Sequence, residues 1–343
     1  MTLVAAVFLI LSLSWFLGRC FQFLDQPRVI GEIIAGLVLG PSLLGLWSPE
    51  WQHRLFSPEH MSLLTWPAHL GLWVFLFSVG LDSRHEDWRR QPGRLFKVWM
   101  GSFFVPLAIG AWVGWFWLYP LEGGLEASRL RFSAFIAVAM AVTAFPVLVR
   151  MLEDRGWHRR PLGRLAIGVA SMDDLCTWVF LAFIVHEGAG AALHGLFIAF
   201  ALGWALSGTR LKSWKGRAWM HRIAAWMMPF FFVLSGLRTD LNLLRNVEGL
   251  GVLIGILLIA VFVKIAGTWF GARWAGLKPR PALVLGVLMN TRGLVELVVL
   301  NLGLRAGLLS PRLFAAFVVM ALVTTLMTGP LLLAMHAPRE MDQ

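Results

Sequence analysis

Apolar stretches long enough to cross a lipid bilayer occupy most of the sequence. The hydrocarbon core of a bilayer is about 30 Å thick, and an α-helix needs about 20 residues to cross it. Backbone exposed to lipid can satisfy its hydrogen bonds only in helices or closed barrels. The candidate spans are residues 3–24, 28–46, 65–82, 95–119, 131–152, 162–186, 191–207, 219–237, 248–274, 281–304 and 311–335, whereas 47–64 is too polar to cross. We therefore expect an all-α fold with about eleven transmembrane helices.

The composition supports a membrane protein and argues against soluble classes. Hydrophobic residues make up 58% of the chain and charged residues 14%, whereas a soluble protein carries about 25% charged residues. A formal net charge of +11 would suit a protein that binds nucleic acid, but here the basic residues are divided among short loops. We therefore expect the lipid bilayer as a partner and no nucleic acid.

The distribution of basic residues predicts how the chain is oriented. Loops after the odd-numbered spans hold most of the Lys and Arg residues, for example Arg89 and Arg90 after span three and Arg159 and Arg160 after span five. Positive loops stay in the cytoplasm. The N-terminus is therefore expected outside and the C-terminus in the cytoplasm, in a multi-pass protein of the cell (inner) membrane. No basic region precedes the first apolar stretch, so we interpret that stretch as a retained span.

Three charged residues fall near the middle of predicted spans: Asp173 and Asp174 in span six, and Lys264 in span nine. A charge at this depth costs at least about 2.5–3.5 kcal/mol on insertion scales, so it indicates function. Consecutive helical residues point about 100° apart. We therefore expect one carboxylate to face a solvated cavity and the other to pair with Lys264. A purely structural ion pair would explain one aspartate but would leave its neighbour unpaired.

Other ionisable residues in the spans allow more than one interpretation. Arg292 and Glu296 lie four residues apart in span ten, so they can pair on one helical face. Both a brace for a broken helix and a direct contact with an ion fit this spacing. Glu32 lies nearer the cytoplasmic end of span two, and we expect it to pair with a residue on a neighbouring helix.

Two of the spans contain residues that interrupt a helix. Pro146 follows Thr143 in span five, and a proline removes a backbone donor and frees a carbonyl upstream. Span ten contains Asn290 and Thr291 followed closely by a glycine. Spans 4–5–6 and 9–10–11 would then form two three-helix repeats of opposite orientation, each with a broken middle helix. Inverted repeats of this kind indicate a secondary transporter whose site lies near the middle of the membrane.

Several motifs, in their order along the chain, resemble one known family. They are QPRVIGEIIAG at residues 26–36, LGPSLLG at 39–45, FSVGLD at 77–82, TAFPVL at 143–148, MDDLCTW at 172–178, PFFFVLSGLRTD at 229–240 and NTRGLVEL at 290–297. Together they resemble the monovalent cation:proton antiporter family, in the branch of the potassium-efflux and plant cation/H+ exchanger proteins. The resemblance extends over nearly the whole chain.

The resemblance implies a transporter rather than an enzyme, with no cofactor besides the transported Na+ or K+ and H+. It implies one domain over residues 1–343, with scaffold helices at about 1–93 and 187–247. An ion-carrying core at about 94–186 and 248–336 would make an elevator-like movement. By the motif match, Asp174 binds a monovalent cation or a proton in alternation, and Asp173 is the partner of Lys264. The pattern of two aspartates and a lysine implies electrogenic exchange. The breaks at Thr143 and at residues 290–291 would cross beside the site.

The chain departs from the family pattern in length. Between the aspartate motif and residues 194–203, relatives have about two further spans, but here the gap is about twenty residues. The missing helices would belong to the scaffold, on which the homodimer implied by the resemblance would depend. An alternative is a transport-inactive or sensory membrane protein that retains the core. An intramembrane aspartyl protease fits poorly, because its two aspartates must come from different helices.

Overall fold

The computed structural model describes residues 2–82, 92–122, 127–185, 190–207, 216–337 and 340–341, and every regular element in these ranges is helical. The α-helices are α1 Thr2–Phe23, α2 Arg28–Leu39, α3 Leu44–Trp47, α4 Pro49–Leu55, α5 Pro58–Asp82, α6 Pro92–Trp99, α7 Val105–Val113, α8 Tyr119–Glu122, α9 Arg129–Ala141, α10 Phe145–Asp154, α11 Pro161–Val185, α12 Gly190–Leu206, α13 Gly216–Leu237, α14 Val247–Trp274, α15 Pro279–Met289, α16 Leu294–Arg305 and α17 Pro311–Ala334. Short π-helical segments, Met100–Phe104 and Gly114–Leu118, join α6 to α7 and α7 to α8, and a 3-10 helix covers Leu241–Leu244.

The predicted all-α, multi-pass fold is confirmed. Helices lie at all eleven predicted spans, and eight helical stretches in the described ranges are long and apolar enough to cross a membrane. The third span begins at Pro58 rather than at residue 65, and α3 and α4 occupy part of the region expected to be a loop. A proline is well suited to the first turn of a helix, and an acidic Glu59 in that turn also favours a helix start there.

The chain divides into two compact units. The first consists of Met1–Arg84 and Gly190–Asn246. Within it, α12 and α13 both pack against α5, and α2 packs against α1 and α13. Gly36 of α2 and Gly236 of α13 allow the closest approach, since a Cβ atom on either would overlap a backbone carbonyl oxygen of the opposite helix. Small residues at such crossings are typical of helix packing in membranes.

The second unit consists of His85–Ala189 and Val247–Gln343. Its helix α14 packs against α6, the π-helical segment Met100–Phe104, α15 and α17. At the π-helical segment, Gly101 and Gly267 face each other so closely that a Cβ atom on either would overlap the other's carbonyl oxygen. This approach brings the backbone of Ser102 beside Lys264 of α14.

Both expected interruptions are present, and they meet inside the second unit. Residues 142–144 separate α9 from α10, and residues 290–293 separate α15 from α16. The backbone N–H of Ala144 donates a hydrogen bond to the carbonyl oxygen of Thr291, 3.0 Å away. Gly293 has φ +151°, which is accessible to glycine but rarely to other residues.

The first interruption differs from its prediction in one respect. Pro146 does not kink a continuous helix but lies in the first turn of α10, downstream of the break. A proline there removes an N–H group that would have no helical partner in any case. The break itself falls on residues 142–144, upstream of the proline and centred on Thr143.

Candidate functional site

A buried ion pair between Lys264 and Asp173 forms the centre of the site. Lys264 Nζ lies 3.0 Å from Asp173 Oδ2, and both side chains are fully buried. The same ammonium donates to the carbonyl oxygens of Ser102 at 3.0 Å and Ala141 at 2.5 Å. A lysine ammonium has three donors, and each of them therefore has an acceptor. These acceptors come from α11, the π-helical segment and the end of α9, so Lys264 joins three elements.

The two oxygens of Asp173 have different environments. Oδ2 accepts hydrogen bonds from Lys264, from Thr143 Oγ1 at 2.6 Å and from Ser102 Oγ at 3.3 Å. Oδ1 is buried and has no hydrogen-bond partner among the residues that the structure describes. Thr143 lies in the non-helical segment of residues 142–144 between α9 and α10. The break thus supplies a donor that fixes one oxygen of Asp173.

Asp174, the next residue, has a contrasting environment. Its side chain is fully buried, and neither carboxylate oxygen has a hydrogen-bond partner in the described ranges. The expected exposure to a solvated cavity is not seen, because residue 174 lies midway along the 25-residue helix α11 inside the compact second unit. An ionised carboxylate without donors is very costly in such surroundings. Burial of the Asp174 side chain becomes favourable when the carboxylate takes up a proton or a cation.

The second interruption also contributes buried polar groups near the pair. Thr143 Oγ1 lies 3.3 Å from the carbonyl oxygen of Met289, the last residue of α15. The next residue, Asn290, is fully buried, and neither its amide nitrogen nor its amide oxygen has a partner in the described part of the chain. Thr291 is held locally, with its hydroxyl donating to the Leu288 carbonyl at 2.8 Å. Unpaired carboxylate and amide oxygens are suitable ligands for a hard cation.

Arg292 and Glu296 form a second fully buried ion pair, with 3.0 Å between Arg292 Nη1 and Glu296 Oε1. The guanidinium also donates to the carbonyl oxygens of Ala139 at 2.9 Å and Met140 at 2.7 Å. These carbonyls belong to the last turn of α9, which ends at the first break. A cation at this end of a helix satisfies free carbonyls and interacts favourably with the helix dipole. The geometry therefore favours a brace for the broken helix over a direct contact with an ion, the other interpretation of this pair.

Glu32 lies in the first unit, and the prediction that it pairs with a residue on a neighbouring helix is wrong. Its Oε1 atom is 2.9 Å from Nε of Arg28, one turn earlier in the same helix. An i,i+4 pair needs no second helix. Arg28 thus gives Glu32 a local structural contact within α2.

Two hydroxyl residues that the sequence did not single out also contact the cluster. Ser102 contacts both members of the central pair, and Thr325 of α17 contacts the backbone of Arg292. The sequence contained a signal for Thr325, since three threonines at positions 324, 325 and 328 interrupt the apolar span eleven. In the described ranges, no group of three or more His, Cys, Asp or Glu side chains is arranged to hold a metal ion.

Comparison with known proteins relates this chain to a family. The family described as sodium/hydrogen exchanger, transmembrane, matches residues 7–193 and 188–335. The Na(+)/H(+) antiporter NhaS4 of Synechocystis is 31% identical over 397 aligned positions that cover 97% of each chain. Cation/H(+) antiporter 17 of Arabidopsis thaliana is 29% identical, and the match covers 98% of this chain but 48% of that protein. The chain thus spans about half the length of the plant relative.

A solved structure supports the fold independently. The sodium proton antiporter MjNhaP1 of Methanocaldococcus jannaschii superimposes with a TM-score of 0.60, covering 96% of both chains at 14% identity.

The alignments also bear on the missing spans. The alignment with the Synechocystis protein is longer than the 343 residues of this chain, so the relative contains segments that this chain lacks. The two family matches meet at residues 188–193, where the shortened scaffold was expected. The family match covers most of the sequence, and the chain therefore belongs to the sodium/hydrogen exchanger family of multi-pass membrane proteins.

Proposed function

We propose that the chain is a secondary active antiporter that exchanges a monovalent cation, Na+ or K+, for protons at Asp174. One observation carries the proposal: Asp174 is fully buried with both oxygens unpaired in the described ranges, while its neighbour Asp173 already has Lys264, Thr143 and Ser102 as donors. Asp173 is thereby fixed as a structural anion, and Asp174 is left to take an exchangeable ligand. The names of the relatives, which are Na+/H+ and cation/H+ antiporters, support the same class of substrate.

Exchange follows from competition for one negative charge. A cation from the cytoplasm replaces the proton on Asp174, the loaded site becomes accessible from the other side, and a proton replaces the cation there. The attraction between a cation and a carboxylate charge about 4 Å apart is worth about 4 kcal/mol at an effective dielectric constant of 20, and protonation of the carboxylate removes it. Binding of a cation and a proton together is therefore disfavoured, which couples the two fluxes in opposite directions.

The burial of Asp174 requires a conformational change, since a ligand must reach it from each side of the membrane in turn. The aspartates, Lys264 and both interrupted segments all belong to the unit of His85–Ala189 and Val247–Gln343. They can therefore travel as one body. We assign this unit as the ion-carrying core and the unit of Met1–Arg84 and Gly190–Asn246 as the scaffold for an elevator-like cycle. The scaffold would also supply the contact surface of a homodimer.

Orientation and stoichiometry complete the proposal. The excess of basic residues in the odd-numbered loops supports an outside N-terminus and a cytoplasmic C-terminus in the inner membrane. With Lys264 engaged by Asp173, the site alternates between a protonated and a cation-loaded carboxylate. If Lys264 also lost a proton in the cation-loaded state and regained it in the proton-loaded state, more protons than cations would move and the exchange would be electrogenic.

Flux in reconstituted vesicles tests the proposal. The purified chain in proteoliposomes should give a saturable proton flux on addition of Na+ or K+, and Asp174→Asn should abolish it. Cys176→Ser is a matched control, because Cys176 is a half-buried free thiol on the same helix. This control should retain the flux. Cation-induced proton flux through folded Asp174→Asn would refute the assignment. Cation binding by the wild-type chain without flux would instead identify a transport-inactive or sensory protein.

A further inference from the structure

The interrupted segment between α15 and α16 must satisfy its backbone polar groups without a helix. At membrane depth, such groups find partners inside the protein. Thr291 does so locally and across the break: its N–H donates to Leu288 at 3.2 Å, and its carbonyl accepts from Ala144. Among the residues that the structure describes, the backbone of Arg292, the next residue, has neither a local backbone partner nor one across the break. Its backbone N–H and its carbonyl oxygen both bond to the side chain of Thr325 on α17.

The hydroxyl group of Thr325 suits this position because it is both a donor and an acceptor. Oγ1 accepts from the Arg292 N–H at 3.1 Å and donates to the Arg292 carbonyl oxygen, with the Ala321 carbonyl of its own helix at 2.8 Å as a second acceptor. One side chain thus replaces both helical hydrogen bonds that Arg292 has lost. Serine retains this capacity, whereas valine has nearly the same shape but can neither donate nor accept.

The position of Arg292 matters because its side chain bonds to the end of the other broken helix. Its guanidinium bonds to Ala139 and Met140, and the carbonyl of the following residue, Ala141, accepts from Lys264. Hydrogen bonds, linked through the covalent backbone of residues 139–141, therefore connect Thr325 through Arg292 to the central ion pair. A shift of the Arg292 backbone would move the carbonyls that hold Lys264.

We propose that Thr325 is a positioning residue of the exchange cycle, acting through Arg292 to hold the two interrupted segments at the geometry that the Asp173–Lys264 pair requires. The inference rests on the proposed antiport function. Two neighbours on α17 provide an internal contrast. Thr324 and Thr328 are also buried, but their hydroxyl groups bond to carbonyls of their own helix. The same residue type in the same helix therefore serves as a matched control.

The test compares Thr325→Val, Thr325→Ser, Thr324→Val and Thr328→Val in proteoliposomes. Flux is expressed per folded transporter, with folded protein counted by size-exclusion chromatography and thermal unfolding. We expect Thr325→Val to lower Vmax/KM for the cation by at least about tenfold, as expected when buried polar groups lose their partners, and to displace the pH profile of transport. Thr325→Ser and the two control variants should stay within about threefold of wild type.

Several results would overturn this inference. Wild-type KM, Vmax and pH profile per folded Thr325→Val protein, with only a lower yield, would show that Thr325 merely stabilises the fold. Equal losses in Thr324→Val or Thr328→Val would remove the special role of position 325. If Thr325→Val does not fold, Thr325→Cys replaces it, since a thiol is a weak donor and acceptor. Its Vmax/KM should then fall well below that of Thr325→Ser, and equality would refute the proposal. Absence of flux in wild type would instead contradict the proposed function.

Discussion

Replacing Lys264 by methionine removes the cation of the central pair while nearly preserving the length of the side chain. Asp173 would then remain buried with only the hydroxyl groups of Thr143 and Ser102 as donors. The carbonyl oxygens of Ser102 and Ala141 would lose the donor that Lys264 provides. Breaking a fully buried pair by removing one partner costs about 3–5 kcal/mol. We expect Lys264→Met to lower the free energy of unfolding by this amount.

The double variant separates the charge of Lys264 from its packing. Asp173→Asn in the Lys264→Met background removes the uncompensated carboxylate, whereas the amide oxygen of the new side chain can still accept from Thr143. Since much of the cost of Lys264→Met arises from that carboxylate, the double variant should be more stable than the single one. The coupling energy of the cycle should exceed about 1 kcal/mol, within the range for residues in contact.

Denaturant titration in detergent micelles, followed by tryptophan fluorescence, measures the four free energies of the cycle. A shift in midpoint at constant slope would show that the substitutions change stability and not the surface exposed on unfolding. Additive effects of the two substitutions would refute the reasoning, as would wild-type stability of Lys264→Met. Either result would mean that the pair seen in the structure contributes no net electrostatic coupling.

Two further substitutions test the packing and the ion pairs of the second unit. Gly267→Ala should lower the unfolding midpoint, because the added methyl group meets a carbonyl oxygen of the packed segment. On the same helix, a Cβ atom at Gly251 meets no described atom of another element within 4 Å, so Gly251→Ala should be neutral or stabilising by up to about 1 kcal/mol. Equal midpoints for the two variants would contradict the close approach. Arg312→Gln removes contacts of 2.9 Å to Glu122 and to Glu248. Because the arginine is partly exposed, the free energy of unfolding should fall by about 1 kcal/mol, and this loss should shrink in high salt. A loss that is independent of salt would argue against an ionic contribution.

The intramembrane charges explain why part of the site was predictable from sequence. A lysine and an aspartate within apolar spans have few alternatives to each other, so a pair between Lys264 and one of the two aspartates follows from the residue types. That the aspartate is Asp173 was implied only by the family resemblance, and the contact is present. The spacing of Arg292 and Glu296 similarly limits their choice of partner. Residues that interrupt a helix also indicated where α9 and α15 end, although Pro146 proved to begin the next helix rather than to form the break.

Contacts that depend on backbone atoms were not predictable in the same way. The carbonyls of Ser102 and Ala141 accept from Lys264 only because the glycine contact at positions 101 and 267 and the break at residue 142 bring them there. No residue type in the sequence marks a carbonyl as an acceptor. For Glu32 the signal was present, since Arg28 lies four residues earlier on the same helix.

The pH dependence of the apparent KM for the cation tests most directly the claim that cation and proton compete for Asp174. Initial rates of exchange would be measured in proteoliposomes over a range of cation concentrations at several pH values. If one carboxylate binds either ligand, the KM should rise by up to about tenfold for each unit decrease in pH where the proton-bound form predominates, while Vmax at saturating cation stays nearly constant. A KM that is independent of pH, with Vmax falling instead, would contradict competition at a shared site.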